Sequence, residues 1–108
     1  MIAKEEGQID WTRSAKALES HVLGMYSWPI AYTVLNGEVF KIHAAQAVDR
    51  RTSAAPGIVV SSGKEGIGVS CGDGGVLLLK KVQLPGKKAM DAGSFLLGHP
   101  VEIGTVLG

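Results

Sequence analysis

The chain has 108 residues, room for one compact domain and not for two. Hydrophobic residues make up 45% and charged residues 19%, enough apolar surface for a packed core, which excludes the intrinsically disordered class. Eleven Lys and Arg against ten Asp and Glu leave a net charge of +1, which argues against a strongly basic, dedicated nucleic-acid binder.

Ser14 to Met25 reads as the first helix, because Ala15, Leu18, Val22 and Met25 recur at steps of three and four with polar residues between them. Asp10 or Thr12 is the expected cap, and Trp28-Pro29 ends the segment, since proline cannot continue the ladder. A strand from Ile30 to Leu35, the Asn36-Gly37 turn and a partner strand from Glu38 to Val48 form the strongest hairpin signal in the chain. After a polar loop from Arg50 to Pro56, residues 57–60 and 66–71 flank the turn Ser61-Ser62-Gly63-Lys64-Glu65 and predict a second hairpin. Gly72-Asp73-Gly74-Gly75 turns the chain into a strand from Val76 to Leu84, broken at Pro85-Gly86. Asp91 then reads as the N-cap of a short helix from Ala92 to Leu97, closed by Gly98, and a strand from Gly104 to Leu107 follows. Five to six closely spaced strands with bracketing helices predict a mainly β protein, a small open barrel more than a sandwich.

The longest apolar run, Val76 to Leu79, is far below the roughly 20 residues of a membrane helix. Met1 to Glu6 has no apolar leader core, and the lone Cys71 forms no internal disulfide, so a reducing, cytoplasmic setting is expected. No catalytic group and no metal site are expected. His21, His43 and His99 lack metal-ligand spacing, and Cys71 reads as a small buried hydrophobe. Neither Gly57 to Gly63-Lys64 nor Gly86-Lys87 keeps the spacing of a Walker A loop. Trp11, Phe40 and Phe95 fall among apolar neighbours and read as core, not as base-stacking platforms.

Charge is the better functional signal. Between Lys41 and Lys88 stand eight Lys and Arg against Asp49, Glu65 and Asp73. Lys41, Arg50, Arg51, Lys80, Lys81, Lys87 and Lys88 are the candidate RNA-phosphate contacts, with ordinary solubilising charge as the competing reading. Lys80 and Lys81 are adjacent on one strand, so they share a surface only where the strand bends or bulges.

The ordered fragments Lys4-Glu5-Glu6-Gly7, Ile9-Asp10-Trp11, Trp28-Pro29, Ala31-Tyr32-Thr33, Asn36-Gly37, Lys41-Ile42, Ala55-Pro56-Gly57, Gly66-Ile67 and Gly72-Asp73-Gly74 resemble a known family. Gln83, Pro85-Gly86-Lys87-Lys88, Met90 and Phe95-Leu96 continue the match. It is the C-terminal domain of methionyl-tRNA formyltransferases. The resemblance implies an open OB-like barrel spanning residues 1–108 as one domain, which helps hold initiator methionyl-tRNA through a basic surface. It also implies a Rossmann-like catalytic domain, in cis or in trans, that carries 10-formyltetrahydrofolate. These 108 residues do not contain that domain, so the chain alone is expected to be inactive and to hold no cofactor. Membranes and DNA are not expected partners. Lys87 and Lys88 match the Gln-x-x-Gly-Lys-x-x-Met segment and Lys41 a strand lysine, whereas Arg50, Arg51, Lys80 and Lys81 rest on charge alone. His99 matches no catalytic position. Related folate-dependent formyltransferases and a formyltetrahydrofolate hydrolase carry similar domains without tRNA. In that alternative, apolar surface around Ile9, Trp11 and the first helix docks on a catalytic domain.

Overall fold

The computed structural model of the chain describes residues 8–24, 31–35, 37–48 and 50–107. The expectations for residues 1–7, Met25, Trp28-Pro29, Ile30 and Asn36 fall outside them.

Helix α1 (Ala15–Gly24) turns Ala15, Leu18 and Val22 inward, as the helical spacing requires. Its cap differs from expectation. Ser14 Oγ accepts the Ala17 N–H at 3.1 Å. Asp10 instead accepts the Thr12 N–H at 3.0 Å and the Thr12 hydroxyl at 2.6 Å, closing a turn of its own before the helix begins.

Strands β1 (Tyr32–Leu35) and β2 (Glu38–Val48) pair antiparallel, with Tyr32 opposite Lys41 and Leu35 opposite Glu38. Strands β3 (Val59–Gly63) and β4 (Gly66–Ser70) make the second hairpin. Its turn is shorter than the sequence suggested, because Ser61, Ser62 and Gly63 continue the ladder and leave Lys64-Glu65 alone at the tip. Strand β5 (Val76–Gln83) returns between the two hairpins and pairs with both β2 and β4, giving the sheet order β1-β2-β5-β4-β3. A central strand lies between two covered faces, which is why Val76, Leu77, Leu79 and Val82 are all fully buried.

A two-residue strand absent from the sequence reading, β6 (Met90–Asp91), pairs with Val82 and Lys81. Two residues carry no alternation to read. Asp91 stands at the expected N-cap of helix α2 (Ala92–Gly98), with the extended backbone usual there, φ −56° and ψ 143°, but it makes no side-chain cap bond. At the far end Gly98 remains helical, and the His99 N–H donates to the Phe95 carbonyl at 2.8 Å.

The expected strand from Gly104 to Leu107 is not a regular strand. An isolated bridge joins Val106 to Ile58, flanked by bonds from Val59 N–H to Thr105 O (2.8 Å) and from Leu107 N–H to Gly57 O (2.8 Å). This segment covers the β3 edge, and Gln8-Ile9 covers the β1 edge through the Ile9 N–H to Tyr32 O bond at 2.8 Å. Each contact caps the start of an edge strand, at Tyr32 and at Val59. The curled sheet wraps one core that includes Leu18, Phe40, Ile42, Leu77, Leu79 and Phe95, with the Phe40 and Phe95 rings 5.3 Å apart. The result is a mainly β half-barrel of six strands bracketed by two helices, as the sequence predicts.

Candidate nucleic-acid interface

The β5–β6 connection is a turn with a definite geometry. Pro85 and Gly86 occupy its centre, Gly86 has φ +72°, and the Lys87 N–H closes it on the Leu84 carbonyl at 3.1 Å. Proline followed by a glycine at positive φ is the chemistry of a type II turn. Lys87 and Lys88 leave that turn exposed.

Gln83 stands at the base of the turn. Its Oε1 lies 2.7 Å from His43 Nε2 on β2, and its Nε2 donates to the Lys87 carbonyl at 2.6 Å. Lys41 is the direct partner of Gln83 across the β2–β5 ladder, and Lys81 lies two positions earlier on β5, so both share Gln83's face. The fold thus gathers Lys41, Lys81, Lys87 and Lys88 at one end of the sheet. All four are exposed, and among the described residues no ion pair engages them; the pair that forms joins Lys16 to Glu19 on α1 at 3.3 Å. Four exposed ammonium groups on one rim, with Asp91 opposite Lys81 across the ladder, give that rim an excess of positive charge.

Lys80 has a different setting. The ladder places Ala44 opposite Lys81 and Ala45 opposite Leu79, so Lys80 is the extra residue of a bulge. The bulge leaves both neighbouring lysines exposed, and Lys80 borders a shallow depression lined by Lys64, Glu65, Asp91 and Ser94, two cations and two carboxylates in all. Arg50 and Arg51 follow the opposite end of β2, separated from Lys41 by roughly 20 Å of strand. Arg51 there donates to the Asp73 carbonyl at 2.6 Å. Gln83 and His43 were not singled out as site residues from the sequence, although Gln83 stands in the quoted family segment. The signal that could have found them is a glutamine four residues before an exposed lysine, across a Pro-Gly turn.

Two other features bear on chemistry. Burial pushes the Cys71 thiol up to about 11, so little thiolate exists near neutral pH and the side chain packs as a hydrophobe. A cleft of about 440 Å³ lies beside α2, with Glu38, Leu84, Phe95, His99 and Glu102 on its walls, and the His99 ring stacks on Phe95 at 5.0 Å. The docking face expected around Ile9 and Trp11 is not exposed. Ile9 is 4% and Trp11 6% accessible, because both fill this domain's own core.

Residues 1–100 match the family described as the formyl transferase C-terminal domain. The chain belongs to that family. Within it, the methionyl-tRNA formyltransferase of Citrifermentans bemidjiense is 43% identical over 108 residues, all of this chain and 33% of the relative. Those of Agathobacter rectalis and Bacillus subtilis are 47% and 43% identical over 97% and 99% of this chain, each aligned over 34% of its own length. The chain therefore spans about a third of these relatives. Among solved structures, HypX from Aquifex aeolicus in complex with tetrahydrofolic acid superposes with a TM-score of 0.71 at 18% identity, covering 96% of this chain and 21% of HypX. That likeness shows that the formyl transferase C-terminal fold recurs there. No helix among the described residues is long and apolar enough to cross a membrane.

Proposed function

We propose that this domain grips initiator methionyl-tRNA for a formyltransferase catalytic domain, and that the grip is electrostatic. The observation that carries this reading is the convergence of Lys41, Lys81, Lys87 and Lys88 around the β5–β6 turn. Kinship with methionyl-tRNA formyltransferases supports it. Lysine ammonium groups contact phosphates as point charges, releasing counterions and fixing orientation without reading bases. A tRNA held this way presents its aminoacyl end to the catalytic domain, so the domain's contribution is proximity. The formyl group comes from 10-formyltetrahydrofolate on the catalytic domain. No residue here is assigned to the folate, and neither membrane nor DNA enters the reading. The proposed setting is the cytoplasm, where initiator tRNA is charged.

The test is a titration of the chain with initiator tRNA at two salt concentrations, with a folded acidic protein of similar size as control. Binding is expected to weaken with salt. Lys87→Ala/Lys88→Ala is expected to weaken it further and to flatten the log–log salt slope by about 2, roughly one per phosphate contact, without a change in Tm. Absence of binding at low salt, or a double variant indistinguishable from the parent, overturns the reading and favours a domain that only docks on its catalytic partner.

A further inference from the structure

We propose that Gln83 is the positioning residue of this surface, an amide strut that sets the lysine turn against the sheet; the inference rests on the tRNA reading above. Two hydrogen bonds hold the Lys87 main chain among the described residues: its own N–H to Leu84 O within the turn, and Gln83 Nε2 to Lys87 O. The first closes the turn but does not say where the turn points. Nothing lies within 4 Å of the place where a Cβ on Gly86 would stand, so the tip projects clear of the domain. The β5–β6 ladder closes the base of the connection at Val82–Met90, and among the described residues only the second bond ties the Lys87 main chain back to β5.

The other end of the amide explains why the strut is stiff. Gln83 Oε1 can only accept, so the 2.7 Å contact with His43 Nε2 requires the hydrogen on that ring nitrogen. With one end on β2 and the other on the turn, the amide plane is fixed, and its O and N cannot exchange without two acceptors or two donors meeting. Residue chemistry narrows the position further. Glutamate accepts from His43 but cannot donate to a carbonyl; lysine donates but cannot accept; both would change the local charge. A neutral amide joins an N–H to a carbonyl across this gap without cancelling any of the charges that face the phosphates. The strut also links Lys87 to Lys41, because Lys41 is Gln83's partner across the ladder. Two lysines far apart in sequence are thereby held in one spatial register before any ligand arrives, which lowers the ordering cost of binding.

Gln83→Met tests this, since methionine keeps the length and unbranched shape and removes both hydrogen bonds. Four proteins are titrated with initiator tRNA at several salt concentrations: the parent, Gln83→Met, Lys87→Ala/Lys88→Ala, and all three substitutions together. Gln83→Met is expected to bind about fivefold more weakly, the worth of one ordinary hydrogen bond, with an unchanged salt slope because no phosphate contact is removed. In the Lys87→Ala/Lys88→Ala background the same substitution is expected to cost no further affinity, while any fall in Tm is the same in both backgrounds. If Gln83→Met does not fold, His43→Ala carries the test: it frees the far end of the strut, and its smaller affinity loss should likewise vanish when Lys87 and Lys88 are alanine. Parental affinity in the substituted strut, or an equal loss in both backgrounds, overturns the positioning role while leaving the tRNA reading intact. A parent that does not bind, or a lysine double variant that binds normally, overturns the tRNA reading and this inference with it.

Discussion

The Asp73 carboxylate accepts a hydrogen bond from the backbone N–H of Ala15, 58 residues earlier in the chain, at 3.3 Å. The same Oδ1 accepts the Gly75 N–H at 2.9 Å, and the Gly72 N–H donates to the Arg13 carbonyl at 2.9 Å. The glycine-rich turn before β5 thus does more than reverse the chain. It satisfies an orphan donor in the first turn of α1, where negative charge is favoured by the helix dipole, and so couples the N-terminal helix to the centre of the sheet.

Acid should release that coupling. Hydrogen bonds from the Gly75 and Ala15 backbone hold the Asp73 carboxyl below its ordinary value of 3.8, and the Ala47 N–H, donating to Glu19 Oε2 at 2.9 Å, holds Glu19 below 4.5. Both groups bind protons more readily unfolded than folded. Their contribution to stability is therefore complete above the unfolded values and lost as pH falls through the lower folded ones. Tm followed by circular dichroism should fall as pH drops below about 4.5. Asp73→Asn/Glu19→Gln should show a shallower fall over the same range, and a parallel curve would refute the assignment.

Trp11 Nε1 donates to the Thr33 hydroxyl at 3.0 Å, with Thr33 fully buried and Trp11 nearly so. Thr33→Val keeps the shape and strands a buried indole N–H. Denaturant unfolding should show a loss of about 1–3 kcal/mol, the cost of an unsatisfied buried donor. A loss near zero would mean that the indole finds another acceptor.

Two glycines should respond in opposite ways to what their backbone angles suggest. A Cβ on Gly72 would stand 1.6 Å from the Thr12 carbonyl oxygen, whereas Gly86, at φ +72°, has open space around it. Gly86→Ala should cost about 1–2 kcal/mol, the left-handed penalty of an L-residue. Gly72→Ala forces the segment before α1 to move and should cost about 3 kcal/mol or more, the upper range of overpacking. Paired thermal melts check the ranking, and the reverse order would contradict the close approach of the two segments.

Much of this protein was legible in local chemistry. The three- and four-residue spacing of Ala15, Leu18 and Val22 marks a helix face, and Glu38 to Val48 is a strand at the predicted bounds, because period and turn residues act over a few neighbouring positions. The Pro85-Gly86 break, the basic residues and the family resemblance were likewise readable in order along the chain.

What needed the tertiary structure is whatever depends on two distant segments meeting. Ser14 and Asp73 start α1, not Asp10 or Thr12, since a cap from residue 73 has no local signature. Asp91 stands at the N-cap of α2 but also pairs with Lys81 in β6 and gives no side-chain cap bond, and residues 104–107 pair at the start of an edge without becoming a strand. The placement of the lysines follows for the same reason. Lys41 and Lys87 are far apart in sequence yet joined through Gln83, while a bulge at Lys80 leaves adjacent Lys80 and Lys81 both exposed. Side-chain type and spacing along the chain are local properties of the sequence; strand register and bulges are set by the packing of the whole core, and they decide which charges face the same ligand.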